Sequence, residues 1–296
     1  MTRIRPISPI GGAPRPRPAL RVGCVSFLNA KPLIVGLDEI GDAHVPPPEV
    51  RYDVPSRLLA DLEAGEVDIA LCPVIDFQRS RVPLRIVPVG GIGCQGTTLT
   101  VRLYSRVPLE QIESIHADTD SHTSVALMQV LLSKLHNRRP RLVAFDAHQQ
   151  LVEDDSPDWP QAMLLIGDKV VTASPPAVRY PHQLDLGYAW RALTGLPFVF
   201  AVWMTREGVD LGALPRQLAT VRERNTLRID RLVEQFAAPM GWPRDLAHEY
   251  LAKWLCFEIG RPQLEAIELF HHHAASLGLI EHARPQRLYP LSSETS

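Results

Sequence analysis

Four short stretches gather side chains able to hold a polar ligand: Ser26-Phe27-Leu28-Asn29, Gly93-Cys94-Gln95-Gly96-Thr97-Thr98, Asp118-Thr119-Asp120-Ser121-His122-Thr123-Ser124, and Gly167-Asp168. Each follows an apolar run of strand length. The first and third lead into helical patterns, whose unpaired N–H groups and dipole favour an anion. Thr123 and Ser124 stand where such a helix starts. Their hydroxyls suit a ligand carboxylate, and Ser121 or Thr123 equally suits capping the helix. Asn29 carries a donor and an acceptor on one amide, so it can orient a hydroxyl and a carboxylate together or close a turn. Lys31, two residues on, offers positive charge to an acid, or is one more solvated surface lysine.

Other chemistries find no support. His271-His272-His273 invites a metal, but successive helical residues point about 100° apart and do not converge on one ion. Glu268 and His272 share a helix face at i, i+4, which is a single pair. No glycine-rich phosphate loop, nucleophile elbow or HExxH motif is present. Cys24, Cys72, Cys94 and Cys256 stand far apart, without the close pairs of zinc or redox sites, and read as buried thiols. With 31 Lys plus Arg against 33 Asp plus Glu, no basic stripe tracks a nucleic-acid backbone, so nucleic acid is not expected as a partner.

The elements that must position these loops follow from hydrophobic pattern. Leu20–Val25 reads as a buried strand, a helical run follows Pro32, and a strand near Val50–Val54 precedes an amphipathic helix that Gly65 closes. Val67–Cys72 is a further buried strand. The opening is therefore βαβαβ, the arrangement of a parallel sheet with helices on its faces. Strands at Leu84–Val89 and Leu99–Tyr104 come next, and after Pro108 a second unit begins with Ser114–Ala117 and the helix Val125–Leu135. Phe198–Trp203 is a strand that leads back to the first unit, and Leu214–Leu279 reads as continuous helix. At 296 residues the chain exceeds one ordinary core. The expectation is an α/β protein of two lobes with a hinge and an inter-lobe cleft: 20–105 plus 196–280 as a discontinuous first lobe, and 106–195 as the second. Residues 1–19, rich in proline and arginine, and 281–296 are expected as tails. The start lacks the apolar core of a secretory leader and no stretch is long enough to span a membrane, so a cytoplasmic location is expected and no membrane partner.

Taken together, the phrases RVGCVSFLNAKPLIVGL, LEAGEVDIALCPVIDFQR, DTDSHTSVALMQVLL, MLLIGD and LGYAWRALTGLPFVFAVW resemble the chorismate dehydratases of the futalosine route to menaquinone, over about residues 20 to 280. The resemblance implies a type II periplasmic-binding-protein-like fold and a hydro-lyase that converts chorismate to 3-[(1-carboxyvinyl)oxy]benzoate and water, without metal or organic cofactor. It also implies that the substrate's own enolpyruvyl carboxylate takes the ring proton, leaving the protein to orient it. Asn29 matches the family asparagine at the reacting ring, and Thr123 and Ser124 match the carboxylate-binding turn. Ser26 stands in the first loop. Family members often carry a serine–aspartate–glycine type of loop before the hinge strand, where this chain has Gly93–Thr98; Thr97 and Thr98 are the expected replacements. The competing readings are a 1,4-dihydroxy-6-naphthoate synthase-like enzyme, a non-enzymatic solute-binding protein, and the effector lobe of a transcription regulator. The first 20 residues are too short for the helix-turn-helix this last would need.

Overall fold

A computed structural model of the protein describes residues 18–40, 46–118, 121–145 and 159–291. Residues 1–17 of the expected N-terminal tail, Thr119 and Asp120 of the third loop, and the last five residues lie outside them.

The first sheet has six strands in the order β11-β4-β10-β3-β1-β2. Strands β1 (Arg21–Cys24), β2 (Glu49–Tyr52) and β3 (Ile69–Pro73) pair in parallel. Their connections are α1 (Lys31–Ile34) and α2 (Pro55–Ala64). In α2, Leu58 and Leu62 recur four residues apart on the buried face, and Gly65 ends the helix at φ 77° with its N–H on the Asp61 and Leu62 carbonyls. That left-handed cap is available to glycine without steric cost. Behind β3 comes α3 (Asp76–Arg79).

β4 (Leu84–Cys94) is longer than the apolar run that announces it. It continues through Gly90, Gly91 and Gly93, residues poor in strand propensity, because its partner passes too close for side chains. A Cβ on Gly91 would stand 2.6 Å from the Ala201 carbonyl oxygen, and one on Gly93 2.7 Å from that of Phe198. That partner is β10 (Phe198–Arg206), inserted antiparallel between β3 and β4. It is the strand that returns the chain to the first lobe, as expected.

The second sheet has the order β7-β6-β8-β5-β9, from β5 (Val101–Ser105), β6 (Ser114–Asp118), β7 (Arg141–Phe145), β8 (Ala162–Ile166) and β9 (His182–Asp185). One expectation is corrected here. The strand assigned to the end of the first lobe pairs antiparallel with β8 and β9, so the chain crosses between lobes at 95–100 and not after 105. Strand pattern reports burial, not sheet membership; the switch is made by a tight turn at Leu99. Helices α4 (His122–His136), α5 (Lys169–Thr172) and α6 (Leu186–Thr194) belong to this lobe.

The remaining helices are α7 (Leu214–Thr226), α8 (Ile229–Phe236), α9 (Arg244–Glu249) and α10 (Arg261–Ser276). They do not run continuously from Leu214. A π-helical turn at Tyr250–Trp254 breaks into β11 (Leu255–Cys256), which pairs with β4 at Gly93 and Cys94 and caps the sheet edge. Nor is the segment after Ile280 a tail as far as Tyr289: the Arg284 backbone exchanges hydrogen bonds with the Gln78 side chain, and Ile86 exchanges them with Arg287 and Tyr289. Cys24, Cys72 and Cys94 are buried and Cys256 is half-buried, all as free thiols.

Candidate active site

The carboxyl ends of β1 and β3, the crossover after β4, and the N-termini of α4 and α5 surround one cavity, with about 720 Å³ of atom-free space including its mouth. Its walls are mainly apolar, with Leu71, Ile92, Phe200 and Leu255 from the first sheet and Ile166 from the second. Against them stand Asn29, Thr98, Thr100, Ser121, Ser124, Lys169 and Tyr250. Among the described lining residues Lys169, itself buried, is the cation.

Three of the six residues singled out by sequence reach this lining and another three sit around it. Asn29, Thr98 and Ser124 line the cavity. Ser26 and Thr97 are exposed beside it. Thr123 is fully buried, off the lining, and its hydroxyl has a structural use: Oγ1 accepts the Ile75 N–H at 3.2 Å across the lobe boundary. Next to it the His122 Nδ1–H donates to the buried Asp76 carboxylate at 2.8 Å. The N-terminus of α4 is thereby clasped to the segment after β3. Ser121 caps the helix, its Oγ accepting the Ser124 N–H, so the capping role and the cavity-lining role fall on the same turn.

The second expected loop, Gly93–Thr98, is not an open anion site. The Asp185 carboxylate accepts the N–H groups of Thr98 (3.0 Å) and Leu99 (2.8 Å) and also caps α6 through Tyr188 N–H (3.0 Å). Leu99 is held at φ 62°, with Thr100 N–H closing onto the Thr98 carbonyl at 2.7 Å. A non-glycine residue in this region costs on the order of 1 kcal/mol and persists only where its surroundings fix it. Asp185 fixes it. A Cβ on Gly187 would overlap the Gly96 carbonyl and the Cys94 sulfur, so α6 packs directly on the crossover.

Asp168, flagged with Gly167, also turns away from ligand work. Its carboxylate accepts the Trp242 indole N–H at 3.0 Å and the Leu28 backbone N–H in the first loop, joining the second lobe to the first. Burial raises its pKa, opposed by those two hydrogen bonds and by Lys31. Lys31 lies over the rings of Tyr52 and Phe236 at 5.5 and 5.0 Å, and desolvation lowers its pKa. It is a packed half-buried cation, not the solvated residue expected.

Asn29 carries the feature that distinguishes this site. Its Oδ1 is buried and has no hydrogen-bond partner among the described residues, and Tyr250 shares the cavity wall with it. An unsatisfied buried acceptor costs about 1–3 kcal/mol, so a group left this way beside a cavity is poised for a ligand donor. Tyr250 sits 2.7 Å from Thr100 Oγ1, its ring stacked on Trp242 at 4.8 Å. Burial pushes the phenol above its usual range, so it stays protonated. No local pattern in the sequence marks Tyr250 or Trp242, and Asp185 shows locally only as a helix cap; their partners Thr100, Asp168 and Thr98 lie 70 or more residues away. The histidine run is divided as its helical spacing requires. His271 Nε2–H donates to Val74 O and its Nδ1 accepts from Gln78, His272 turns back to Glu268 O, and His273 packs on Trp190.

Comparison with known proteins agrees with this geometry. A protein of Candida albicans described as having the generic periplasmic binding protein fold superposes with a TM-score of 0.65 at 12% identity, over 95% of this chain and 100% of that one. The periplasmic aliphatic sulphonate binding protein of Escherichia coli gives 0.59 at 13% identity, over 94% and 96%. The fold is thus the two-lobed periplasmic-binding-protein fold. In sequence, a chorismate dehydratase of Thermus thermophilus is 28% identical over 245 residues, covering 78% of this chain and 87% of that protein. The family model for menaquinone biosynthesis matches residues 20–276, and the chain belongs to that family.

Proposed function

We propose that the protein is a chorismate dehydratase, a hydro-lyase that converts chorismate to 3-[(1-carboxyvinyl)oxy]benzoate and water. The observation that carries this reading is the unpartnered Oδ1 of Asn29 beside a mostly apolar cavity. A cyclohexadiene ring fits apolar walls, and its ring hydroxyl is the donor that Asn29 lacks. The two carboxylates fall to Lys169 and to the N-terminal turn of α4 at Ser121 and Ser124, where the helix dipole favours negative charge.

In the reaction the C3–H bond breaks, the C3–C4 double bond forms, and the C4 hydroxyl leaves with the proton as water. Aromatisation supplies the driving force. Among the described residues the cavity lining contains no His–carboxylate pair, which suits a reaction whose proton acceptor is the substrate's enolpyruvyl carboxylate. The protein's share is then orientation and exclusion of water. Asn29 holds the hydroxyl, and Thr98 and Thr100 lie on the crossover behind it. Four free thiols fit a reducing compartment, and the proposal places the enzyme in the cytoplasm.

The test is to incubate the purified protein with chorismate and follow the product by chromatography and mass spectrometry. Formation above a protein-free control is expected. Saturable chorismate binding without product would replace the enzyme by a binding protein, and neither binding nor product would remove chorismate as the ligand.

A further inference from the structure

We propose that Asp76 and His122 are a positioning pair: a buried carboxylate of the first lobe fixes the second lobe's Ser121–Ser124 turn, and so sets the affinity for a ligand carboxylate without touching it. This deepens the dehydratase reading and rests on it for the identity of the ligand. The inference comes from a contact made at two points. Ile75 and Asp76 are successive residues after β3, and His122 and Thr123 are successive residues at the start of α4. The Ile75 N–H donates to Thr123 Oγ1 at 3.2 Å, and Asp76 Oδ1 lies 2.8 Å from His122 Nδ1. A single bond would leave the turn free to pivot, whereas bonds at two neighbouring residues fix its direction as well as its place. Ser121 and Ser124 bracket the two residues that are held. Both line the cavity, with their hydroxyls 2.9 Å apart.

The burial of Asp76 separates this pair from an ordinary surface ion pair. Its side chain is fully buried, against 30% exposure for His122, and its Oδ2 has no partner among the described residues. Taking a carboxylate out of water costs more than one such bond returns, so packing alone is better served by an apolar residue or an amide. The carboxylate adds a strong, directional hold on one imidazole nitrogen. The platform that carries it is itself braced. His271 Nε2–H donates to Val74 O at 3.0 Å, Gln78 Nε2 lies 2.9 Å from His271 Nδ1, and Arg284 Nη2 donates to Phe77 O at 2.6 Å. The segment with Asp76 is thus fixed to α10 and to the chain beyond it, and the turn is placed against that segment. Leu71 and Pro73, on β3 just before it, line the cavity, so the first-lobe wall and the second-lobe turn are held in one register.

The test is steady-state kinetics with chorismate on His122→Ala, Asp76→Ala, the double variant, and His122→Asn, whose amide nitrogen can stand near the place of Nδ1. Each alanine variant should raise KM about tenfold and change kcat less than about threefold, because the turn holds a carboxylate alike in the ground and transition states. The double variant should stay near the single ones, since its second change removes a contact already lost, and His122→Asn should bring KM back toward wild type. A second readout needs no substrate. Hydrogen exchange at the Ile75 amide, whose acceptor is the residue next to His122, should quicken in His122→Ala and stay slow in His122→Asn. KM losses that multiply in the double variant, a fall in kcat at unchanged KM, or an Ile75 amide indifferent to His122→Ala would overturn the inference. If Asp76→Ala does not fold, the two His122 variants decide by KM and exchange alone. A wild type that does not convert chorismate would overturn the dehydratase reading instead, and the amide exchange would still decide whether the pair holds the turn.

Discussion

Asn29 and Thr123 hold matching places in the two lobes. Each follows a parallel strand, each stands at the start of a helix, and each has a side chain able to donate and accept. Their uses differ. Thr123 is buried behind the lining with its oxygen occupied by the Ile75 N–H. Asn29 stands on the cavity wall with its oxygen left open. Thr123 is thus built to dock, and Asn29 to receive. Residue type and position do not separate these roles; the state of each lone pair does.

The docking side should respond most to acid. The segment from Val74 to Gln78, onto which Thr123 and His122 close, is braced from beneath by His271. Burial pushes the His271 pKa down from 6.5 to about 4. The neutral ring donates from Nε2 and accepts at Nδ1 from Gln78, whose own oxygen is held by Arg284 N–H. Protonation would set two donors against each other, and Arg284 and His272 nearby add no negative charge. Between about pH 6.5 and 4 the unfolded chain binds a proton that the folded one refuses, so stability is full above 6.5 and falls as pH drops through that window. The loss from this residue is on the order of 3 kcal/mol. Thermal denaturation from pH 7.5 to 4 should show it, and His271→Gln should flatten the decline. An equal decline in that variant would assign it to other groups.

On the receiving side the expected change is in rate. Asn29→Ala removes the acceptor offered to the ring hydroxyl and should lower kcat/KM about 100-fold, near 2.7 kcal/mol. Stability should not suffer in proportion, because the atom lost was already without a partner. A variant with full turnover and reduced melting temperature would invert the comparison, making Asn29 the scaffold residue.

Thr123→Val tests the other half. The shape is kept, but the Ile75 N–H loses its acceptor in a buried position, which should cost about 1–3 kcal/mol in urea unfolding, with Thr123→Ser near wild type. Turnover should fall less than in Asn29→Ala, through a weaker KM. A loss of kcat at unchanged stability would return Thr123 to the substrate, the role its place in the sequence suggests.

Much of the frame was legible in the chain. The βαβαβ opening, the Gly65 cap, the α4 start at Ser121–Ser124 and the return strand β10 all follow from period, capping residues and apolar runs. What escaped had long-range causes. The glycine stretch that lengthens β4 makes sense only once β10 lies against it. β11 hides inside a helical pattern because two residues carry no period of their own. Half of the site was similarly visible. Asn29, Thr98 and Ser124 could be found as polar residues after strands, but Tyr250 lies 150 positions from Thr100, and Asp185 lies 87 from Thr98. A hydroxyl in the right loop could not be read as docked or receiving before its partner was known.

The smallest expected effect concerns the histidine run, whose three rings have separate neighbours. His271 is closed between Val74 and Gln78, His272 is bonded to its own helix, and His273 lies edge-on to Trp190, so the three rings face three surroundings. Among the described residues no three His, Cys, Asp or Glu side chains gather to hold a metal ion. Dialysis against a chelator should therefore leave both turnover and melting temperature unchanged, and added zinc should not raise either. A chelator-sensitive activity restored by one metal would mean that a group counted as docked is instead receiving, and the residues of the run should then be replaced one at a time to find it. His272 would be the first, since it is the exposed member whose only bond is to its own helix backbone, and a ring in that state can exchange a carbonyl for a metal at little cost to the fold.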